Sequence, residues 1–164
     1  MQYPLQALFE IRGRAKQEAE DAYAREKQRL DQEQNQLKKM QEKLKCMQAY
    51  RHQKQAEYFE AMSTVSTRIE TIQMAERHLQ KLLEEEKIFQ IKMTEQEQIV
   101  YESEQKRVQA LKRMMKATEE YNVLEKHQEK WAAKQKKEAE LREEAVADEM
   151  TEFRYAARVK ESMI

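Results

Sequence analysis

The residue types able to hold a metal or attack a substrate are sparse in this chain. His52, His78 and His127 are its three histidines, 26 and 49 residues apart. Zinc sites built on one helix need two ligands a turn apart, as in H-x-x-x-H or H-E-x-x-H, and those built on turns need C-x-x-C. Neither pattern occurs. Cys46 is the only cysteine. Lys45 beside it favours the thiolate, but an inert thiol at the edge of a packed seam is the stronger reading. Phosphate-cradling loops and the dinucleotide fingerprint need several glycines, and Gly13 is the only one. Carboxylates abound, yet general acid–base work needs a concave, desolvated site. The sequence therefore predicts no enzyme, no metal site and no cofactor.

Charge narrows the partners further. Lys plus Arg number 31 and Asp plus Glu number 31, for a net charge of zero. Nucleic-acid binding draws on a basic field that displaces counterions. The densest basic cluster, Lys134, Lys136 and Lys137, is hemmed by Glu129, Glu138 and Glu140 and reads as a solvated helix face. No nucleic-acid partner is expected. A lone cysteine forbids an intrachain disulfide and suits a reducing compartment. Glu10 and Arg12 interrupt what would be the apolar stretch of a signal peptide. No run approaches the ~20 apolar residues of a membrane span. The expected location is cytoplasmic.

The elements that carry these residues are long helices. With one Gly and one Pro in 164 residues, very few turns are possible. Ala, Leu, Met, Glu, Lys, Arg and Gln dominate, all strong helix formers. Pro4 suits a first helical turn, where its missing N–H costs nothing. From Leu5 to Ala61, positions spaced alternately by three and four include eleven apolar residues of 17: Leu5, Phe9, Ala19, Tyr23, Leu30, Leu37, Met40, Leu44, Met47, Tyr58 and Ala61. That spacing marks a two-helix seam. A second ladder runs from Ile72 to Trp131, with thirteen apolar residues of 18. Gln96, Ser103 and Arg107 soften its middle. Polar seam residues cost stability and can fix register. Ten methionines favour adaptable packing.

Between the ladders lies Ser63-Thr64-Val65-Ser66-Thr67, the only cluster of hydroxylated and β-branched residues. Such side chains compete for backbone hydrogen bonds and weaken helix interiors. Thr67 with Glu70 fits a capping box. The sequence thus predicts an all-α fold: one long antiparallel two-helix coiled-coil hairpin over 1–164. Its first helix runs from about 4 to 62, its turn from about 62 to 67, and a longer second helix from about 68 to 160. Counted outward from residue 65, Leu5 faces about residue 125, so 126–164 have no partner within the chain. That overhang carries Trp131, Val146, Phe153 and Tyr155 and invites another protein; fraying or homodimer packing are its alternatives. Gly13, Ala15, Ala19, Ala22 and Ala24 form a small-residue stretch that admits close helix approach, or simply favours helix.

The two ends resemble a known family. Tyr3-Pro4-Leu5-Gln6-Ala7-Leu8-Phe9-Glu10-Ile11-Arg12 is similar to the start of FliJ/YscO-like proteins, where Pro-Leu-x-x-Leu leads to an Arg and a long helix. Leu124-Glu125-Lys126, Ala147-Asp148-Glu149-Met150-Thr151-Glu152-Phe153 and Ala156-Ala157-Arg158 resemble their tail. The resemblance implies a non-enzymatic central stalk of a bacterial type III secretion or flagellar export apparatus, peripheral to the inner membrane. Such a stalk associates with the hexameric export ATPase, reaches the membrane export gate and handles secretion chaperones. It places partner contacts at the helix ends: Leu5, Leu8, Phe9, Ile11 and Arg12, and Trp131, Arg142, Phe153, Arg154 and Tyr155. Overall length points to the virulence, YscO-like side. Two other readings stay open. One is a structural spacer in which a single continuous helix dimerises in parallel. The other is a hairpin arm guiding RNA or a substrate into a catalytic partner, which the neutral charge disfavours.

Overall fold

The computed structural model describes residues 3–64 and 68–161, and these form two helices, α1 (Gln6–Thr64) and α2 (Ile69–Glu161). No strand occurs among the described residues. The helices pack against each other as an antiparallel hairpin in which α2, with 93 residues, is much longer than the 59 of α1. A single continuous helix paired in parallel is therefore not what this chain forms. The residues expected to make the turn, Val65, Ser66 and Thr67, lie outside the described residues, and so does the capping box on Thr67. On the α1 side, Ser63 keeps its place in the helix by turning its hydroxyl back to the Phe59 carbonyl at 2.9 Å, so α1 runs two residues past the expected end at about 62. On the α2 side, the Arg68 carbonyl accepts from the Thr71 and Ile72 amides, and Glu70 places a carboxylate in the first turn, where the helix dipole favours it.

The start of α1 shows why Pro4 is tolerated. The Tyr3 carbonyl accepts from the Gln6 amide at 3.1 Å, and Leu5 from Phe9 at 2.9 Å. Pro4 sits inside this first turn, where no N–H is required.

Both heptad ladders are the packed faces. All 18 positions of the second ladder are at least half-buried. So are 15 of the 17 in the first, the exceptions being its end members Leu5 and Ala61. A two-helix seam has no wide core, and large side chains here are half-buried, not enclosed. Packing divides the chain into two units. One joins α1 up to Ala19 with α2 from Met114 onward; the other spans Glu20–Arg113.

In the Glu20–Arg113 unit, Leu30, Leu44, Ala75 and Ala110 are buried. Three polar residues of α2 are buried with them: Glu86, Gln96 and Ser103. Two of these meet polar seam positions of α1. Arg51 Nε donates to Glu86 Oε1 at 2.8 Å. Gln96 Nε2 donates to Glu33 Oε2 at 2.6 Å and reaches the Glu33 carbonyl at 3.3 Å. These two polar seam residues of α2 thus meet partners on α1, which removes the cost of burying them alone, whereas Glu26 Oε2 on α1 is buried with no hydrogen-bond partner among the described residues. Arg107, another apparent exception, folds back onto Glu104 at 2.7 Å. The Glu104 carboxylate, and secondarily the Tyr23 hydroxyl, hold its guanidinium above its ordinary value.

In the other unit, Tyr121 packs like a knob into α1. Its ring lies 4.9 Å from that of Phe9, with the Lys16 ammonium 4.7 Å from its centroid. Gly13 completes the socket: a Cβ there would sit 3.5 Å from Tyr121 Cε2. The close approach read from the small-residue stretch is realised at Gly13. Arg12 pairs with Glu120 beside it.

Candidate protein-interaction surfaces

The ten residues expected at partner contacts fall into two groups. Phe9, Arg12 and Trp131 are already engaged within the chain. Phe9 stacks on Tyr121 and Arg12 binds Glu120. Trp131 meets the edge of Tyr3, 5.5 Å between ring centres. The overhang therefore begins later than counted from the turn. The register around residue 125 is as expected, but Tyr3, ahead of the first ladder, reaches a further turn along α2. Its hydroxyl hydrogen-bonds His127 Nδ1 at 2.6 Å, and its ring is buried between His127 and Trp131.

The other seven are open to solvent. At the start of α1, Leu5 just ahead of the helix and Leu8 and Ile11 on it are exposed at intervals of three. On α2, Phe153 and Tyr155 are 77% and 73% exposed. Arg154 lies between them, also exposed. Arg142 makes only a loose contact with Glu138, at 3.9 Å. Four apolar residues near them, Leu141, Val146, Met150 and Phe153, are all more than half exposed. Val146, Glu149, Met150 and Phe153 line a shallow depression of about 360 Å³. Leu141 and Met150 were not singled out as contact residues from the sequence, because they lie beyond Trp131, where the second ladder ends.

The Glu20–Arg113 unit has its own exposed apolar patch, which sequence reading missed. Phe59, Ile69 and Met74 are 75%, 73% and 69% exposed. Beside them Tyr58, Ala61, Met62, Thr71, Met74, Ala75 and His78 line an apolar cavity of about 380 Å³. Tyr58 hydroxyl and His78 Nδ1 meet there at 2.7 Å. Phe59, Ile69 and Met74 flank the ladders, so a seam count passes over them. Cys46 is exposed, beside Lys43, Met47 and Tyr50. Among the described residues no group of three or more His, Cys, Asp or Glu is placed to hold a metal ion. Among the described residues no helix is long and apolar enough to cross a membrane.

What this geometry defines is a helical-hairpin scaffold with uncovered apolar side chains near its helix ends and also along the middle of α2, where Ile88, Ile91, Tyr101 and Val123 are more than half exposed. Comparison with known proteins gives the family. The model of the YscO-like protein family matches residues 1–161. The chain belongs to the YscO-like family of type III secretion-associated proteins. A solved structure described as a YscO homolog, CT670 from Chlamydia trachomatis, is similar in fold: TM-score 0.77, 19% identity, with 98% of each chain covered. Among curated proteins, none matches the sequence.

Proposed function

We propose that this protein is a non-enzymatic stalk and escort of a type III secretion export apparatus. It links the hexameric export ATPase to the membrane export gate and hands over secretion chaperones, from the cytoplasmic face of the inner membrane. One observation carries the reading. A family member matched over 1–161 has an α2 that continues for some thirty residues past Trp131, on which Tyr3 packs. An unpaired helix end presents side chains to a partner. Balanced charge limits adhesion to nucleic acid and anionic lipid.

Within this reading the contact residues are those left open. They are Leu5, Leu8 and Ile11 at the start of α1, and Arg142, Phe153, Arg154 and Tyr155 on α2. Phe9, Arg12 and Trp131 hold the helices that display them. The test is a secretion assay in a strain lacking the gene. The full chain restores export, whereas a chain ending after residue 140, which keeps Trp131 and all of α2 before it, does not. Restoration by the shortened chain would remove the unpaired end from the function.

A further inference from the structure

Beyond Trp131 the seam pattern lapses. The next ladder positions, at 135, 138, 142, 145, 149 and 152, hold Gln, Glu, Arg, Ala, Glu and Glu, which no apolar helix could cover. A new stripe takes over on a shifted phase: Ala132, Ala139, Val146, Met150 and Phe153 share one face of α2. Small residues occupy its first half and large ones its second.

Charge is segregated in the same sense. Residues 126–137 carry five lysines and one glutamate, while 138–152 carry seven acidic residues and one arginine. The i,i+4 contacts along this stretch are loose, from 3.9 to 4.0 Å. Glu143, Glu144, Asp148, Glu149 and Glu152 make no ion pair among the described residues.

We propose that in the protein free of the export machine this stretch is a self-association surface, occupied by the same stretch of a second copy running antiparallel, which binding to the machine displaces. A two-fold axis between Arg142 and Glu143 sets Phe153 level with Ala132 of the second copy and Val146 level with its Ala139. Large side chains then face small ones. The same register brings Asp148, Glu149 and Glu152 level with the basic run that includes Lys134, Lys136 and Lys137. Parallel pairing would instead set large against large and acid against acid. The overlap, from about 131 to 154, is ~36 Å of helix. Two-strand pairing over that length, with opposite charge blocks at its flanks, depends on ionic strength.

The test is the solution mass of the full chain by light scattering at about 100 µM, in ~0.05 M and ~0.5 M salt. The expected result is a mass twice 19.8 kDa at low salt, with association weakened at least about tenfold at high salt. Two charge-reversal chains sharpen it: D148K/E149K/E152K and K134E/K136E/K137E. Each alone is expected to be monomeric with unchanged helix content, and a mixture of the two to form a one-to-one dimer. Orientation is read with Gln135→Cys in a Cys46→Ser background, where antiparallel pairing keeps the two thiols apart. A monomeric wild type at low salt, a dimer that survives both reversals, or ready disulfide formation by Gln135→Cys would each overturn the proposal.

Discussion

The Tyr3 hydroxyl lies 2.6 Å from His127 Nδ1 while its ring packs on Trp131, so a residue ahead of the first helix fastens that helix to α2. Trp131 is the only tryptophan, and its fluorescence reports this fastening directly. Tyr3→Phe removes one hydrogen bond and is expected to cost about 1 kcal/mol. Tyr3→Ala removes the buried ring as well, at about 2–4 kcal/mol, and moves Trp131 emission to the red. An unshifted Trp131 spectrum in Tyr3→Ala would contradict the packing.

Arg51 and Glu86 supply the clearest stability test. Glu86 is 3% exposed, and Arg51 Nε is its hydrogen-bond donor at 2.8 Å. Removing one partner leaves a buried charge alone. Arg51→Ala is expected to lower unfolding stability by about 3 kcal/mol in denaturant titration. Arg51→Met with Glu86→Leu is expected to recover most of that loss, since well-packed apolar pairs replace buried ion pairs at little cost. Equal losses in the single and double variants would show that the pair does not act as a unit.

Gly13 tests the socket under Tyr121. The helix there has ordinary negative φ, and an added Cβ would meet Tyr121 Cε2 at 3.5 Å, a normal van der Waals distance. Gly13→Ala should therefore raise stability by about 0.5–1 kcal/mol through helix propensity. Gly13→Leu, too large for the socket, should lower it by about 1–3 kcal/mol. Thermal melts of the two variants give the comparison.

Acid sensitivity follows from two ion pairs on helix surfaces. The hydrogen bond from Arg107, and then its charge, hold the Glu104 carboxyl below its ordinary value of 4.5. Hydrogen bonds from Lys54 and Gln53 do the same for Glu57. A carboxyl lowered on folding contributes stability above its unfolded value, and that contribution is lost as pH falls through the folded one. The melting temperature should hold steady down to about pH 4.5 and fall below it. Glu57→Gln with Glu104→Gln should flatten that fall. A drop already under way at pH 6 would point to other groups.

Much of the hairpin was legible in the sequence because a seam repeats. Each of 18 second-ladder positions is at least half-buried, including the polar ones, so a 3,4 count succeeded even where residue type did not. What the count could not give was pairing across the seam. That Gln96 would meet Glu33, or Arg51 meet Glu86, depends on the exact antiparallel register, which no local pattern encodes. Tyr3 escaped for a related reason: it lies before Pro4, outside the periodic region, and its partners His127 and Trp131 are 124 and 128 positions away. The exposed patch of Phe59, Ile69 and Met74 escaped because isolated apolar residues on a helix flank carry no period. Of the expected contact residues, Leu5, Leu8, Ile11, Arg142, Phe153, Arg154 and Tyr155 are open, whereas Phe9, Arg12 and Trp131 are spent on holding the hairpin together.

The stalk reading makes a stoichiometric demand that no other scaffold role shares. A stalk at the centre of a ring is a single copy among identical subunits. The direct measurement is the mass of the complex between the full chain and the export ATPase of the same secretion system, hexamerised with a non-hydrolysable nucleotide. The expected complex has one chain per six ATPase subunits and is weakened when Phe153 and Tyr155 are both replaced by Ala. Binding of one chain to each ATPase subunit, or no complex at micromolar concentrations, would contradict the central claim.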